Sequence, residues 1–509
     1  MLVHEFLTHR AGTTPGKVAL ICGGRRVTYG ELDTMSDRLA CALAERGVQR
    51  GDRVAIHLHN SVESVVAIFG TLKAGAVFVV VNATTKRDKL TFVLNNCRAS
   101  ALVAEAKVDG WPLDQMPRDV PSLRLCIACG RQADSVADAA GVWTFERILA
   151  DFPAQPPVTR TIDLDLACLI YTSGSTGEPK GVMSDHANVD FATSSIISYL
   201  QNTQEDIVIN VLPLSFDYGL YQLLMTIKFG GTLVLERSFT YPAQILKRIE
   251  EERVTGFPGV PTIFTMLLQL DLSSFDLSSL RYLSNTAAAL PPSHISQLRE
   301  KFSWTTLYSM YGLTETKRTL YLPPDQLDRR PGSVGIAIPG TEVWIENEAG
   351  QRLGAGETGE LVVRGRHVMR GYWEAPEATA KRYRPGPIPG ERVCCTGDLF
   401  RMDEDGYFYF VGRKDDIIKS RGEKVAPKEV ENVLHMLPGV QAAVVGVPDP
   451  LMGQAVKAFV VARGQSLTEA QIIAHCRAHL EDFMVPKYVE FRDELPVTTS
   501  GKVYKTGLT

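Results

Sequence analysis

Residues Tyr171 to Val182 read Tyr-Thr-Ser-Gly-Ser-Thr-Gly-Glu-Pro-Lys-Gly-Val and directly follow the apolar run Leu166 to Ile170. The run is what a short buried strand needs, and it empties into a loop of hydroxyls, glycines and one lysine. Such a loop is built to hold phosphate. Gly174, Gly177 and Gly181 let the backbone approach an anion closely and adopt positive φ. Thr172, Ser173, Ser175 and Thr176 add hydroxyl donors, and Lys180 brings a point charge to non-bridging oxygens. Pro179 stiffens the approach to the lysine by fixing φ. Residue order excludes the commonest phosphate loop, which needs Gly-Lys-Ser/Thr so that the hydroxyl after the lysine reaches Mg2+. Here Pro179 precedes Lys180 and Gly181 follows it.

Around this loop the chain has the make-up of a soluble globular protein, with 45% hydrophobic and 22% charged residues. Its 509 residues are too many for one core and imply two or more domains. A net charge of −4 gives no global reason to expect nucleic acid or an anionic membrane as partner. Met1 to Arg10 lacks the apolar core of a signal peptide, and the best apolar stretch, Val65 to Val81, is interrupted by Lys73 and glycines. Nine scattered cysteines fit reduced thiols and a cytoplasmic location. Cys126 and Cys129 form a lone Cys-x-x-Cys without the second ligand pair that zinc needs, so both read as core, as do Cys394 and Cys395.

Strand and helix patterns alternate through the first part. Thr28 with Glu31 fits a capping box opening a helix that ends near Gly47. Arg53 to Leu58 reads as strand, Ser61 to Lys73 as helix, and Ala76 to Val81 as an apolar strand. Further strands are expected at Ile207 to Leu212, Thr232 to Leu235 and Arg253 to Phe257. Such succession implies an α/β fold of parallel sheets with helices on both faces. After Gly332 short strands and glycine turns suggest antiparallel structure, at Thr341 to Ile345, Gly359 to Val363 and Gly406 to Val411. Beyond Gly412-Arg-Lys-Asp-Asp416, a compact αββα unit is expected from Lys428 to Leu480.

The twelve residues from Tyr171 resemble the adenylate-forming superfamily of acyl-CoA synthetases, nonribosomal peptide adenylation domains and luciferases. Tyr308-Ser-Met-Tyr-Gly-Leu-Thr-Glu315, Cys395-Thr-Gly-Asp-Leu399, Gly412-Arg413 and Leu495-Pro-Val-Thr-Thr-Ser-Gly-Lys502 match its later motifs in order. The resemblance implies αβαβα-layered sheets plus a small β-barrel-like subdomain over residues 1–412, a hinge at 413–416 centred on Asp415, and a small mobile α+β domain over 417–509. It implies a freestanding ligase in which ATP and a carboxylic acid give an acyl-adenylate and pyrophosphate. A thiol, from CoA or the phosphopantetheine of a separate carrier protein, then takes the acyl group. Tyr311 would face the purine, Thr314 would bond the α-phosphate, and Glu315 would hold Mg2+. Asp398 would accept from the ribose hydroxyls, Arg413 would reach ribose or phosphate, and Lys502 would stabilise the reacting centre. Ala287, Ala288, Met310 and Gly312 complete the nucleotide set so implied. A luciferase-like oxidoreductase shares every one of these motifs.

The acid is less legible. By the same resemblance, Pro213-Leu-Ser-Phe-Asp-Tyr-Gly-Leu-Tyr221 would start the acid pocket, and in amino-acid-activating members an aspartate at the place of Asp217 accepts the substrate ammonium. Tyr218 and Tyr221 would crowd the pocket, which narrowly favours a small, proline-like amino acid over a fatty or other acid. Asp217 could instead cap a helix. Thr286 and the pair Lys317-Arg318 should line or back the same pocket, with Arg318 either pairing with Asp217 or pointing outward.

Overall fold

Side chains alternate between two cores along each strand of a parallel sheet, and this alternation sets the architecture. In the strand Arg53–His57, Val54 and Ile56 enter one core while Ala55 enters another. Leu102 and Val103 of the strand Ala99–Glu105 divide in the same way. The sheet to which they belong runs, in spatial order, Pro179–Asp185, Leu166–Ser173, Val77–Val80, Arg53–His57, Ala99–Glu105, Leu125–Cys129, Val142–Thr144. Only its first pair is antiparallel.

A second sheet stacks Val18–Cys22, Thr232–Leu235, Ile207–Asn210, Gly256–Gly259, Tyr282–Asn285 and Thr306–Tyr311 in parallel. The largest core joins this sheet to the inner face of the first through the helices Tyr29–Glu45, Val62–Lys73, His186–Leu200 and Asp217–Phe229. Val62–Lys73 and Asp217–Phe229 are buried nearly all round because both sides are covered, while Tyr29–Glu45 keeps a polar outer face. The capping box on Tyr29–Glu45 is present, with Thr28 accepting from the Glu31 N–H. The result is the layered α/β fold expected.

These descriptions come from a computed structural model. It describes all residues except 137, 138, 140, 174–178, 287, 289, 421, 422, 450–452, 465, 498–502 and 509, and all their side chains except those of 173, 419, 424, 453, 506 and 507.

One strand start needs correction. The strand expected at Arg253 to Phe257 begins later, at Gly256–Gly259, because the helix Pro242–Glu251 is followed by a turn in which Arg253 takes φ +53°. The antiparallel part has a core of its own, around Val334, Ile345, Leu361 and Phe400, and its strands continue the ladder of the second sheet. Thr306–Tyr311 pairs with Leu320–Leu322, and the ladder continues through Ser333–Ala337, Phe408–Arg413, Arg392–Met402, Thr358–Arg364 and Glu342–Glu346 as one sheet. Gly335, at φ +94°, makes this continuation possible. A Cβ there would lie 1.8 Å from the Tyr321 carbonyl oxygen.

The C-terminal domain has its own core around Val430, Leu434, Val444, Val460 and Ile472. It is richer than αββα. The hairpin Val440–Asp449 with Gly453–Ala462 is extended by Ile418–Ser420, Glu423–Val425 and Tyr488–Phe491. Those added strands are three or four residues long, too short to show a period of two.

Candidate active site

The loop expected to hold phosphate lies between two paired strands. Leu166–Ser173 and Pro179–Asp185 pair antiparallel with Thr172 opposite Lys180. Gly174, Ser175, Thr176 and Gly177, expected to cradle phosphate, lie outside the described residues, as does the Ser173 side chain. A distant segment runs beside the second of these strands. The Trp373 N–H donates to the Gly181 carbonyl at 2.7 Å, and the Met183 N–H donates to the Gly371 carbonyl at 2.9 Å. Tyr372 is thereby placed under the lysine, its ring centroid 5.8 Å from Lys180 Nζ. The Tyr372 hydroxyl donates to Glu315 Oε1 at 2.5 Å. Burial, and then the Glu315 charge, push the Tyr372 phenol above its ordinary value, so it remains the donor.

Glu315 is buried at 8% exposure at the end of a tight turn leaving Thr306–Tyr311. The turn depends on Gly312, where a Cβ would lie 1.8 Å from the Lys317 carbonyl oxygen. It also holds Lys317 at φ +57°, a conformation a lysine seldom takes. The Met369 N–H fixes the Glu315 carbonyl at 3.0 Å. Arg382, whose Nη1 donates to the Cys395 carbonyl at 3.1 Å, also lies in the electrostatic field of Glu315. Thr314 beside it is half-buried and Met310 is buried.

On the other side of the turn, the Tyr311 hydroxyl donates to Asp398 Oδ2 at 2.6 Å. The ring meets Phe400 edge-on, with centroids 4.9 Å apart. Burial first, and then the Asp398 charge, raise the Tyr311 phenol and keep it a donor. Asp398 faces Arg413 across an antiparallel ladder, Oδ1 to Nε at 3.3 Å. Gly397 turns at φ +70°, and its N–H donates to Glu360 Oε1 at 2.9 Å. Glu360 Oε2 in turn accepts from Lys414 Nζ at 3.3 Å, at the head of the single exposed turn Lys414–Asp416 that includes Asp415.

The segment after Phe216 forms the helix Asp217–Phe229. Asp217 is its first residue and not its cap; Phe216 holds that place and makes no side-chain cap bond. Asp217 is buried, and Arg318 does not point outward. Arg318 is 2% exposed, with Nη1 3.8 Å from Asp217 Oδ2 and its guanidinium 4.3 Å over the Tyr218 ring. The Tyr218 hydroxyl donates to the Ser284 carbonyl at 2.7 Å. Lys317 is fully buried, its Nζ 5.4 Å from the Tyr221 ring centroid. Burial lowers the Lys317 ammonium, opposed by the nearby Asp217. Thr286 is buried at the end of the neighbouring strand Tyr282–Asn285, and Ala288 is exposed. Ala287 lies outside the described residues.

Lys502 also lies outside them, between Val497 and Val503, which bridge antiparallel. Lys505 is engaged elsewhere, its Nζ 2.7 Å from Glu431 Oε1. Among the described residues no three His, Cys, Asp or Glu side chains gather as metal ligands. A single carboxylate such as Glu315 would suit Mg2+ at a bound phosphate, since Mg2+ keeps most of its waters and takes few protein ligands. Sequence reasoning missed Tyr372, which bonds Glu315, and Arg382, whose charge acts on it, both from a distant part of the chain.

Two family models match the chain: "AMP-binding enzyme" over residues 7–373 and "AMP-binding enzyme C-terminal domain" over residues 429–502. The chain is 36% identical to a feruloyl-CoA synthase from Amycolatopsis sp over 505 residues, covering 97% of this chain and 96% of the relative. It is 33% identical to a long-chain-fatty-acid–CoA ligase of Bacillus subtilis over 540 residues, covering 99% and 94%. The crystal structure of an anthranilate CoA ligase in complex with anthranoyl-AMP superposes with a TM-score of 0.91 at 28% identity, covering 100% of this chain and 96% of that one.

Proposed function

Because this chain belongs to the AMP-binding enzyme family, we propose that it is an ATP-dependent acid–CoA ligase acting through an acyl-adenylate. The observation that carries this reading is the placing of Tyr372 between Lys180 and Glu315. One side chain there links the lysine of the phosphate loop to the carboxylate suited to a phosphate-bound cation.

In the first step a carboxylate oxygen of the acid attacks the α-phosphorus of ATP. The bond to the α,β-bridging oxygen breaks, and pyrophosphate leaves. No side chain need act as nucleophile, so the protein's part is positioning and charge. Lys180 and Lys502 neutralise non-bridging oxygens. Thr172, Thr314 and the loop hydroxyls donate to them. Tyr311 lines the purine site, and Asp398 with Arg413 holds the ribose. Glu315, fixed by Tyr372, would hold Mg2+, which supplies charge stabilisation at the phosphates. In the second step the CoA sulfur attacks the acyl carbonyl carbon, the bond from that carbon to the phosphate oxygen breaks, AMP leaves, and the thiol proton passes to solvent. Residues 413–416 would let the domain of residues 417–509 turn against residues 1–412 between the steps.

The finer question is the acid. An aspartate that accepts a substrate ammonium must be open to it, and Asp217 already faces Arg318. This weighs against a proline-like amino acid and favours an acid without an ammonium. The names of the matched relatives support CoA as acceptor; a holo carrier protein is the alternative to be assayed beside it.

Acid-dependent ATP–pyrophosphate exchange over a panel of acids and amino acids tests the first step. Thioester formation with CoA against a holo carrier protein tests the second. Oxygen uptake in the same assay would instead support the luciferase-like reading. Lys502→Ala should lower exchange at least about 100-fold, on the scale of removing one transition-state donor, while ATP still binds. Undiminished exchange would move the role from Lys502.

A further inference from the structure

Two buried cations face one carboxylate in the acid pocket. Arg318 is held on one side by Asp217 and on its flat face by Tyr218. Its Nε and Nη2, although buried, have no hydrogen-bond partner among the described residues. These two N–H groups lie on one edge of the guanidinium and point the same way, the geometry that grips a carboxylate with two parallel bonds. Arg50 shows that edge at work in this molecule, with Nε and Nη2 on the two oxygens of Asp165 at 2.8 and 2.7 Å.

The surroundings repeat the pattern. Lys317 Nζ and the hydroxyls of Tyr221 and Thr286 are buried and have no hydrogen-bond partner among the described residues. Burying a guanidinium with unmet donors is costly, and a ligand that meets them recovers the cost on binding. An apolar acyl tail would leave every one of these donors unmet. A substrate ammonium would add a third cation.

We infer that the acid activated here carries a second anionic group, in the simplest case a second carboxylate, which docks on the Nε–Nη2 edge of Arg318. The inference rests on the acid–CoA ligase reading and names its substrate class. Asp217 is then a positioning residue that turns Arg318 toward the substrate. The Tyr221 hydroxyl, on the ring beside Lys317, is a neutral donor for the same group.

The test compares acids matched in length: succinate with butyrate, glutarate with pentanoate, and adipate with hexanoate, with octanoate and proline alongside. Binding is read by calorimetry in the presence of an ATP analogue that cannot be cleaved between the α- and β-phosphates. Turnover is read by ATP–pyrophosphate exchange. At least one dicarboxylate should exceed its monocarboxylate partner tenfold or more in both. Arg318→Met should bring that ratio near one, and Arg318→Lys, which keeps the charge and loses the edge, should fall between. The acid ranking of the unaltered enzyme decides the matter even if Arg318→Met does not fold. A monocarboxylate or proline preferred throughout, or a ratio unmoved in a folded Arg318→Met, overturns the inference and leaves the ligase reading intact. Dicarboxylate binding without exchange for any acid would do the reverse. No dicarboxylate binding at all overturns the inference whatever the exchange assay gives.

Discussion

Asp217 and Arg318 are each other's only close charged partner at hydrogen-bonding or ion-pair range among the described residues, and both are buried. Removing one alone strands the other, which costs about 3–5 kcal/mol for a buried pair. Asp217→Ala should therefore lower stability by about that much in urea denaturation. Adding Arg318→Met should restore more than half of it, since an apolar pair of similar volume has no charge to strand. At Glu315 the interaction is a single charged hydrogen bond. Tyr372→Phe removes the donor, worth about 1.5–3 kcal/mol. It should slow pyrophosphate release tenfold or more and raise the Mg2+ concentration needed for half-maximal rate, while an unchanged Mg2+ dependence would detach Tyr372 from the site. Lys180, Glu315 and Asp398 were legible in the sequence because each sits in a contiguous motif. Tyr372 was not, because its place beside Lys180 is made by backbone bonds from residues 371 and 373 to a strand far earlier in the chain. The direction taken by Arg318 was equally unreadable, since spacing alone does not say which way a side chain after a tight turn will face.

At the scale of elements, long helices and buried strands were readable from period and caps, as Tyr29–Glu45 and Val62–Lys73 show. The short strands Ile418–Ser420 and Glu423–Val425 escaped because three residues carry no period. One of the two C-terminal lysines belongs to this scale. Lys505 bonds the buried Glu431 of the helix Pro427–Leu434, and Glu431 also accepts from the Val444 N–H at 3.1 Å in the adjoining strand. This ties helix, hairpin and chain end together. Lys505→Ala should cost about 1.5 kcal/mol, the scale of one charged hydrogen bond, because Glu431 keeps the Lys428 ammonium at 3.9 Å and the Val444 N–H. Hydrogen exchange should then quicken along Val440–Asp449. Lys502→Ala should leave that exchange unchanged and act on adenylation alone, so the pair of variants separates a structural lysine from one proposed to act on the phosphates.

Across the whole molecule, three histidines, His186 and His367 buried and His435 half-buried, couple stability to pH. Burial lowers His186 and His435 to about 4 and His367 to about 3, from an ordinary value of 6.5. All three are therefore neutral in the folded protein where the unfolded chain takes up protons. Below about pH 6.5 the unfolded state binds more protons, so stability is full above that value and falls as pH drops toward 4. The thermal midpoint should follow this course. His186 accepts from the Val3 N–H at 3.0 Å through Nδ1. His186→Asn, which keeps an acceptor that does not titrate, should flatten part of the decline. A larger mechanical consequence lies in the strand Phe408–Arg413. Its last residue is the ladder partner of Asp398, and the next residue, Lys414, is moored to Glu360 at the start of the proposed swivel. A rotation there would tug the very rung against which a ribose would rest. Thermodynamic reciprocity then makes the clasp on the nucleotide and the pose of the small domain two readings of one dial: whichever pose grips AMP less is the pose that AMP's departure favours.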